Sequence, residues 1–138
     1  MVDWANPADK ISNHFSVKEA CWMPSWGKLA TPSPEEQANI LKSAKIMEDI
    51  RLLLNMPISI HCWLRPQDYN AFIKGATHSM HIVGLAVDWD CGENCDVTRT
   101  RMIPLLKTLN IRMEHQPGPW VHIDLKPVNS ETERYFIP

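Results

Sequence analysis

The ten residues Ser79-Met80-His81-Ile82-Val83-Gly84-Leu85-Ala86-Val87-Asp88 constrain this chain more than any other stretch. They set an imidazole and a carboxylate seven positions apart, with a glycine between them, at the entrance to an apolar run from Leu85 to Trp89 that reads as a buried strand. A pair so placed suits a metal ion. A third candidate ligand, His122, lies in a second short strand, Trp120-Val121-His122-Ile123-Asp124. Alternate residues of a strand share a face, so His122 points the same way as Trp120 and Asp124, while Val121 and Ile123 point into the opposite layer. Two histidines and one carboxylate form a catalytic rather than a structural zinc shell, because a fourth position is left for water.

The rest of the chain fits one compact body around such a site. A length of 138 residues is common for a single domain, and such a chain buries roughly two-thirds of the surface it would expose unfolded. Hydrophobic residues at 44% and charged residues at 22% are ordinary globular values. A net charge of -2 with a pI near 6.3, and no basic run interleaved with aromatics, argue against nucleic-acid binding. No stretch of 18 apolar residues and no basic, apolar leader appears, so neither membrane insertion nor a signal peptide is expected and the chain is expected to be made in the cytosol. The four cysteines, Cys21, Cys62, Cys91 and Cys95, are then expected to be reduced and buried. Cys91-Gly92-Glu93-Asn94-Cys95 also resembles half of a zinc knuckle, or could close a local disulfide.

The element signals predict an α+β order. Ser16 with Glu19 fits a capping box, and Ser33, Pro34 and Glu36 repeat the start signal for a long helix over about Glu35 to Asn55. Ile40, Leu41, Ala44, Met47, Ile50 and Leu54 form its apolar stripe. Met23 to Lys28 reads as a break. Ile58 to Leu64 alternates like a strand, Gln67 to Lys74 suits a short helix stopped by Gly75, and Val97 to Leu109 suits a helix kinked or broken at Pro104. Ile111 to Glu114 and Trp120 to Leu125 read as strands joined by the turn Gln116 to Pro119, and the tail from Pro127 reads as irregular.

Arg65, Asn70, Gly75, Ser79, His81, Gly84, Ala86 and Asp88, followed by His122-Ile123-Asp124, resemble the zinc-dependent M15 peptidases. These are D-Ala-D-Ala carboxypeptidases and dipeptidases, and phage endolysins that cut L-alanyl-D-glutamate in peptidoglycan. The resemblance covers about residues 11–126 of a chain read as one zinc peptidase domain, 1–138. It implies a Hedgehog/D-Ala-D-Ala peptidase-like fold: a small antiparallel sheet carrying the zinc site, flanked by helices. It also implies that Zn²⁺ is held by His81, Asp88 and His122. Family members place an acidic residue shortly before the last histidine, but that position here is Pro119. Glu114, carried back by the hairpin turn, is therefore the first candidate for general base, with Asp124 its competitor. Asp124 could instead orient His122.

By the same resemblance, Arg65 binds a substrate carboxylate or steadies an oxyanion, and Ser79 contacts substrate or holds the loop before His81. His78 and His115 fit no motif and read as exposed residues. Trp63, Trp89 and Trp120 could line a groove, although burial is the commoner fate of such aromatics. The resemblance implies a monomeric peptidase acting on the peptide stem of the bacterial wall. The expected type is a phage endolysin that reaches the wall through a partner such as a holin or is carried in a virion. The alternatives are a D-Ala-D-Ala carboxypeptidase and a non-catalytic zinc-binding virion or wall-binding module.

Overall fold

The computed structural model describes residues 1–92 and 95–138, and it is an α+β arrangement. In chain order the elements are α1 (Val17–Cys21), β1 (Trp22–Met23), β2 (Lys28–Leu29), α2 (Pro34–Leu54), β3 (Ser59–Cys62) and α3 (Gln67–Phe72). There follow β4 (Ala86–Asp90), α4 (Cys95–Met102), α5 (Leu106–Leu109), β5 (Arg112–Glu114), β6 (Trp120–Asp124) and β7 (Tyr135–Phe136). Among the described residues no helix is long and apolar enough to cross a membrane.

Both expected capping boxes form. Ser16 accepts from the Glu19 amide and Ser33 from the Glu36 amide, and each glutamate reaches back to its cap. The long helix α2 ends at Asn55, in the left-handed conformation that closes a helix. Its buried stripe is Ile40, Ser43, Ala44, Met47, Ile50 and Leu54. Leu41, expected in that stripe, is 41% exposed. The i, i+3, i+4 row from Ile40 runs through Ser43 instead, and polarity hid this member. Ser43 Oγ accepts from Trp63 Nε1 at 2.9 Å and lies 2.9 Å from the Gly84 carbonyl as its donor. One hydroxyl thus ties the helix to β3's exit and to the turn that follows His81.

The main sheet has strand order β3-β4-β6-β5-β7 and is antiparallel except for the parallel pair β5–β7. Val87, Trp89, Met113, Val121 and Ile123 enter the core on one face, with Met47, Ile50, Met102 and Leu106 of the helices. The intervening residues Asp88, Glu114, His122 and Asp124 therefore share the other face.

Four local expectations change. The break after Met23 is a two-stranded hairpin, β1 with β2. The tail returns as β7 beside β5, a partnership that no local pattern encodes. The helix expected over Val97 to Leu109 begins earlier, at Cys95, while its expected break falls at the 3₁₀ turn Ile103–Leu105, because Pro104 lacks the amide an α-helix needs. Cys91 and Cys95 are joined as a disulfide rather than reduced, while Cys21 and Cys62 are free thiols. Glu93 and Asn94, inside the knuckle-like segment, lie outside the described residues.

Two glycines are required by their surroundings. A Cβ at Gly75 would fall 2.1 Å from Asn70 Oδ1, in the turn that Asn70 closes by donating to the Ala76 carbonyl. Gly84 has φ +81°, and a Cβ there would sit 3.0 Å from Ile40 Cγ1 and 3.4 Å from the Glu36 carbonyl. Gly84→Ala is therefore expected to cost about 1–3 kcal/mol of stability. Urea unfolding of the two proteins checks this, and equal midpoints would contradict the packing described.

Candidate metal centre

Four strands and one 3₁₀ turn build the site. Strand register sets Asp88 opposite His122, and on the other side Asp88 opposite Cys62. On the β5–β6 pair, Arg112 faces Asp124 and Met113 faces Ile123, so the next step brings Glu114 opposite His122. Glu114 Oε2 lies 4.0 Å from His122 Nδ1. Directly opposite residues project on the same face, so Cys62, Asp88, His122 and Glu114 form one row across the sheet. His81 comes to it from the turn Met80–Val83, which Ser79 caps by accepting from the His81 amide.

The ring nitrogens of the two histidines are committed in a telling way. His81 is 1% exposed, and its Nδ1 lies 2.7 Å from the Trp63 carbonyl, which can only accept. That assigns the proton to Nδ1 and leaves a lone pair on Nε2, which is buried without a hydrogen-bond partner and stands 3.2 Å from Asp88 Oδ1. His122 Nε2 lies 3.1 Å from Asp124 Oδ2 and its Nδ1 2.7 Å from the same Asp88 Oδ1, so with the proton on Nε2, held by Asp124, the Nδ1 lone pair faces Asp88. Two imidazole lone pairs and a carboxylate oxygen converge on one point, an arrangement that only a cation or bound protons reconcile. The set is nitrogen and oxygen donors of the kind zinc takes. The residues therefore fit a divalent ion.

The titration behaviour of the side chains expresses the same crowding. Burial pushes the Asp88 carboxyl up, but His81 and His122 outweigh it and hold the group well below the carboxylate range. Burial works against charge on both histidines, yet both are raised, His81 by Asp88 and His122 chiefly by Asp124 and Asp88.

Cys62 is the residue that sequence reasoning did not reach. Ligand atoms of Cys62, His81 and Asp88 all lie within 4.8 Å of one another, a tight cluster that His122 joins through Asp88. The Cys62 sulfur sits 3.8 Å from His81 Nδ1, the nitrogen already engaged with Trp63, whereas His122 meets Asp88 on the lone-pair side of both rings. The second geometry is the better one for a single ion. Only register across two strands brings Cys62 here, so no sequence signal could have found it.

The outer residues divide cleanly. Asp124 takes both forks of Arg112, at 2.8 Å each, and accepts from the Lys126 amide. It is a carboxylate with every direction occupied, which suits orienting His122 more than taking a proton. Arg112 in turn lies 3.8 Å beneath the Phe136 ring, supplied by the returning tail. Arg65 donates Nη2 to Ser79 Oγ and its amide to the His81 carbonyl, and no carboxylate pairs with it among the described residues. It lines a cavity of about 610 Å³ together with His81, Asp88, Glu114 and His122. His78 lines that cavity from an exposed position, and His115 is exposed and stacked on Tyr135. Trp63 and Trp89 are buried, whereas Trp120 is 39% exposed at the cleft.

An α+β body with imidazoles and carboxylates gathered on one sheet face is suited to a metal-dependent hydrolase. A model of the family described as peptidase M15 matches residues 13–124, and the chain belongs to that family of metallopeptidases. Membership implies peptidase activity. No curated protein and no solved structure matches the chain.

Two outcomes follow from this geometry. His81→Ala and Asp88→Ala should each weaken zinc retention by more than the roughly 10–100-fold that loss of an outer-shell partner costs, whereas Cys62→Ser should keep stoichiometric zinc after dialysis, measured by atomic emission. The second concerns Asp124, whose pKa burial raises but His122 and Arg112 lower to about 2. A depressed carboxyl contributes stability above its unfolded value and loses it as pH falls through the folded one. Wild type should therefore lose on the order of 1–2 kcal/mol from this group between about pH 4 and pH 2. Asp124→Asn should be less stable at neutral pH and decline less steeply across that window, as read by urea unfolding at fixed pH.

Proposed function

We propose that the chain is a zinc-dependent peptidoglycan endopeptidase of the phage endolysin type, cutting an L-alanyl-D-glutamyl or related bond of the peptide stem. Its fold is read as Hedgehog/D-Ala-D-Ala peptidase-like. The observation that carries the reading is the convergence of His81 Nε2, His122 Nδ1 and Asp88 Oδ1, with Glu114 next in the same row. In this reading His81, His122 and Asp88 would hold the ion. A zinc ion held there supplies Lewis acidity, which lowers the pKa of water and polarises a carbonyl.

The remaining chemistry belongs to side chains. Glu114, whose Oε2 stands 4.0 Å from His122 Nδ1, would take the proton from the attacking water and return it to the leaving amine. Asp124, clamped by Arg112, keeps the His122 ring turned so that Nδ1 faces the site. Arg65, a cation without an acidic partner among the described residues, steadies negative charge on the substrate as the carbonyl is attacked. Ser79 supports both Arg65 and the His81 turn.

Endopeptidase is favoured over carboxypeptidase by the shape of the cleft. A second cavity of about 220 Å³ shares Arg65, Asp88 and Trp120 with the 610 Å³ one, so chain can extend on both sides of the candidate centre. The enzyme works as a monomer on the wall, reached through a holin-type partner or from a virion.

Glu114→Gln is expected to retain zinc and lower lysis of purified peptidoglycan about 10²–10⁴-fold, the usual share of a general base. Turbidity loss and metal content are the measurements. Lysis at the wild-type rate would remove Glu114 from the mechanism, and a zinc-loaded wild type that lyses nothing would favour a non-catalytic module. Mass spectrometry of released fragments identifies the bond: loss of single alanines would point to a carboxypeptidase.

A further inference from the structure

The smaller cavity differs in chemistry from the larger one. Trp22, Leu64, Tyr69, Ile73 and Trp120 wall it, and it opens onto Arg65 and Asp88. Trp22 stands 41% exposed on β1, an edge of the small hairpin, with Lys18 over its ring at 5.4 Å. Trp120 is stiffened by His61, whose ring stacks parallel to it with centroids 4.6 Å apart and an 8° tilt. His61 is itself engaged with Asp90 at 3.2 Å. Tyr69 spends its hydroxyl on the Ser25 amide. The cavity thus offers mainly aromatic and apolar surface, with its charged groups, Arg65 and Asp88, at the side shared with the candidate centre.

We propose that this cavity is a saccharide subsite, taking the amino sugar to which the stem peptide is attached. The inference rests on the peptidoglycan reading above. A pyranose ring presents a face of slightly positive C–H groups that complements the negative face of an indole, while its rim hydroxyls remain free for water at an open mouth. Placing the sugar beside Trp22 orients the substrate: the stem runs from this cavity past Arg65 and Asp88 into the larger cleft. The bond brought to Glu114 then lies near the sugar-linked end of the stem, not at its distal D-alanine.

The test uses zinc-loaded Glu114→Gln protein, so that ligands bind without being consumed, and two synthetic ligands: the stem peptide alone and the same peptide linked through its lactyl group to N-acetylmuramic acid. Calorimetry is expected to give about three- to tenfold tighter binding of the sugar-bearing ligand, the range of one or two aromatic contacts. Adding Trp22→Ala should bring the two affinities together, and Trp22→Phe should keep most of the preference, which separates a stacking role from a merely structural one. Equal affinities in the parent protein, or a preference that survives Trp22→Ala, would overturn the subsite. Hydrolysis is read separately with wild type. If the sugar preference holds while neither ligand is cut, the subsite stands and the peptidase reading falls.

Discussion

Pairing between β4 and β6 is the constraint on which the site depends. Because side chains alternate along a strand, Asp88 and His122 meet only in the register that also sets Ala86 against Asp124 and Asp90 against Trp120. A slip of one residue would turn His122 into the core and Val121 out to solvent. The core prevents the slip, since Val87, Trp89, Val121 and Ile123 are all essentially inaccessible on the opposite face. Hydrophobic burial therefore fixes the polar geometry: the same alternation that fills the core holds a carboxylate and an imidazole 2.7 Å apart on its reverse.

The turn before β4 is held from another direction. Asn39 and Ser43 of α2 bond the carbonyls of Val83 and Gly84, and the Trp63 carbonyl fixes the His81 ring. Arg65 then joins the group through its amide, which donates to the His81 carbonyl at 2.9 Å. The cleft-lining Arg65 and the buried His81 imidazole share one set of supports. Movement of β3's exit would displace both together.

The parts of this arrangement governed by local physics were legible in the sequence. The capping boxes at Ser16 and Ser33, the alternation around His122 and the proline break in the 97–109 helix are local signals, and each appears where its residues put it. The spacing of His81 and Asp88 suggested a pair suited to a metal, and the fold brings the two within 3.2 Å. What sequence could not supply was partnership at a distance. The register that brings Cys62 beside Asp88, the parallel return of Tyr135 and Phe136, and the position of Ser43 beneath Trp63 all require knowing which strands and helices meet. Glu114 falls between these cases. Its separation from His122 suggested a hairpin, but only the β5–β6 pairing gives it a place in the row.

That row has an inside and an outside. Cys62 and Phe136 lie on β3 and β7, the two edge strands, while Asp88, His122 and Glu114 lie on strands bonded along both sides. Edge strands open first in local fluctuations, since each is held by a single ladder. The three residues at the heart of the site are thus insulated from fraying, and the thiol and the aromatic cover take it up. The sheet can loosen at its margins without loosening the groups at its centre.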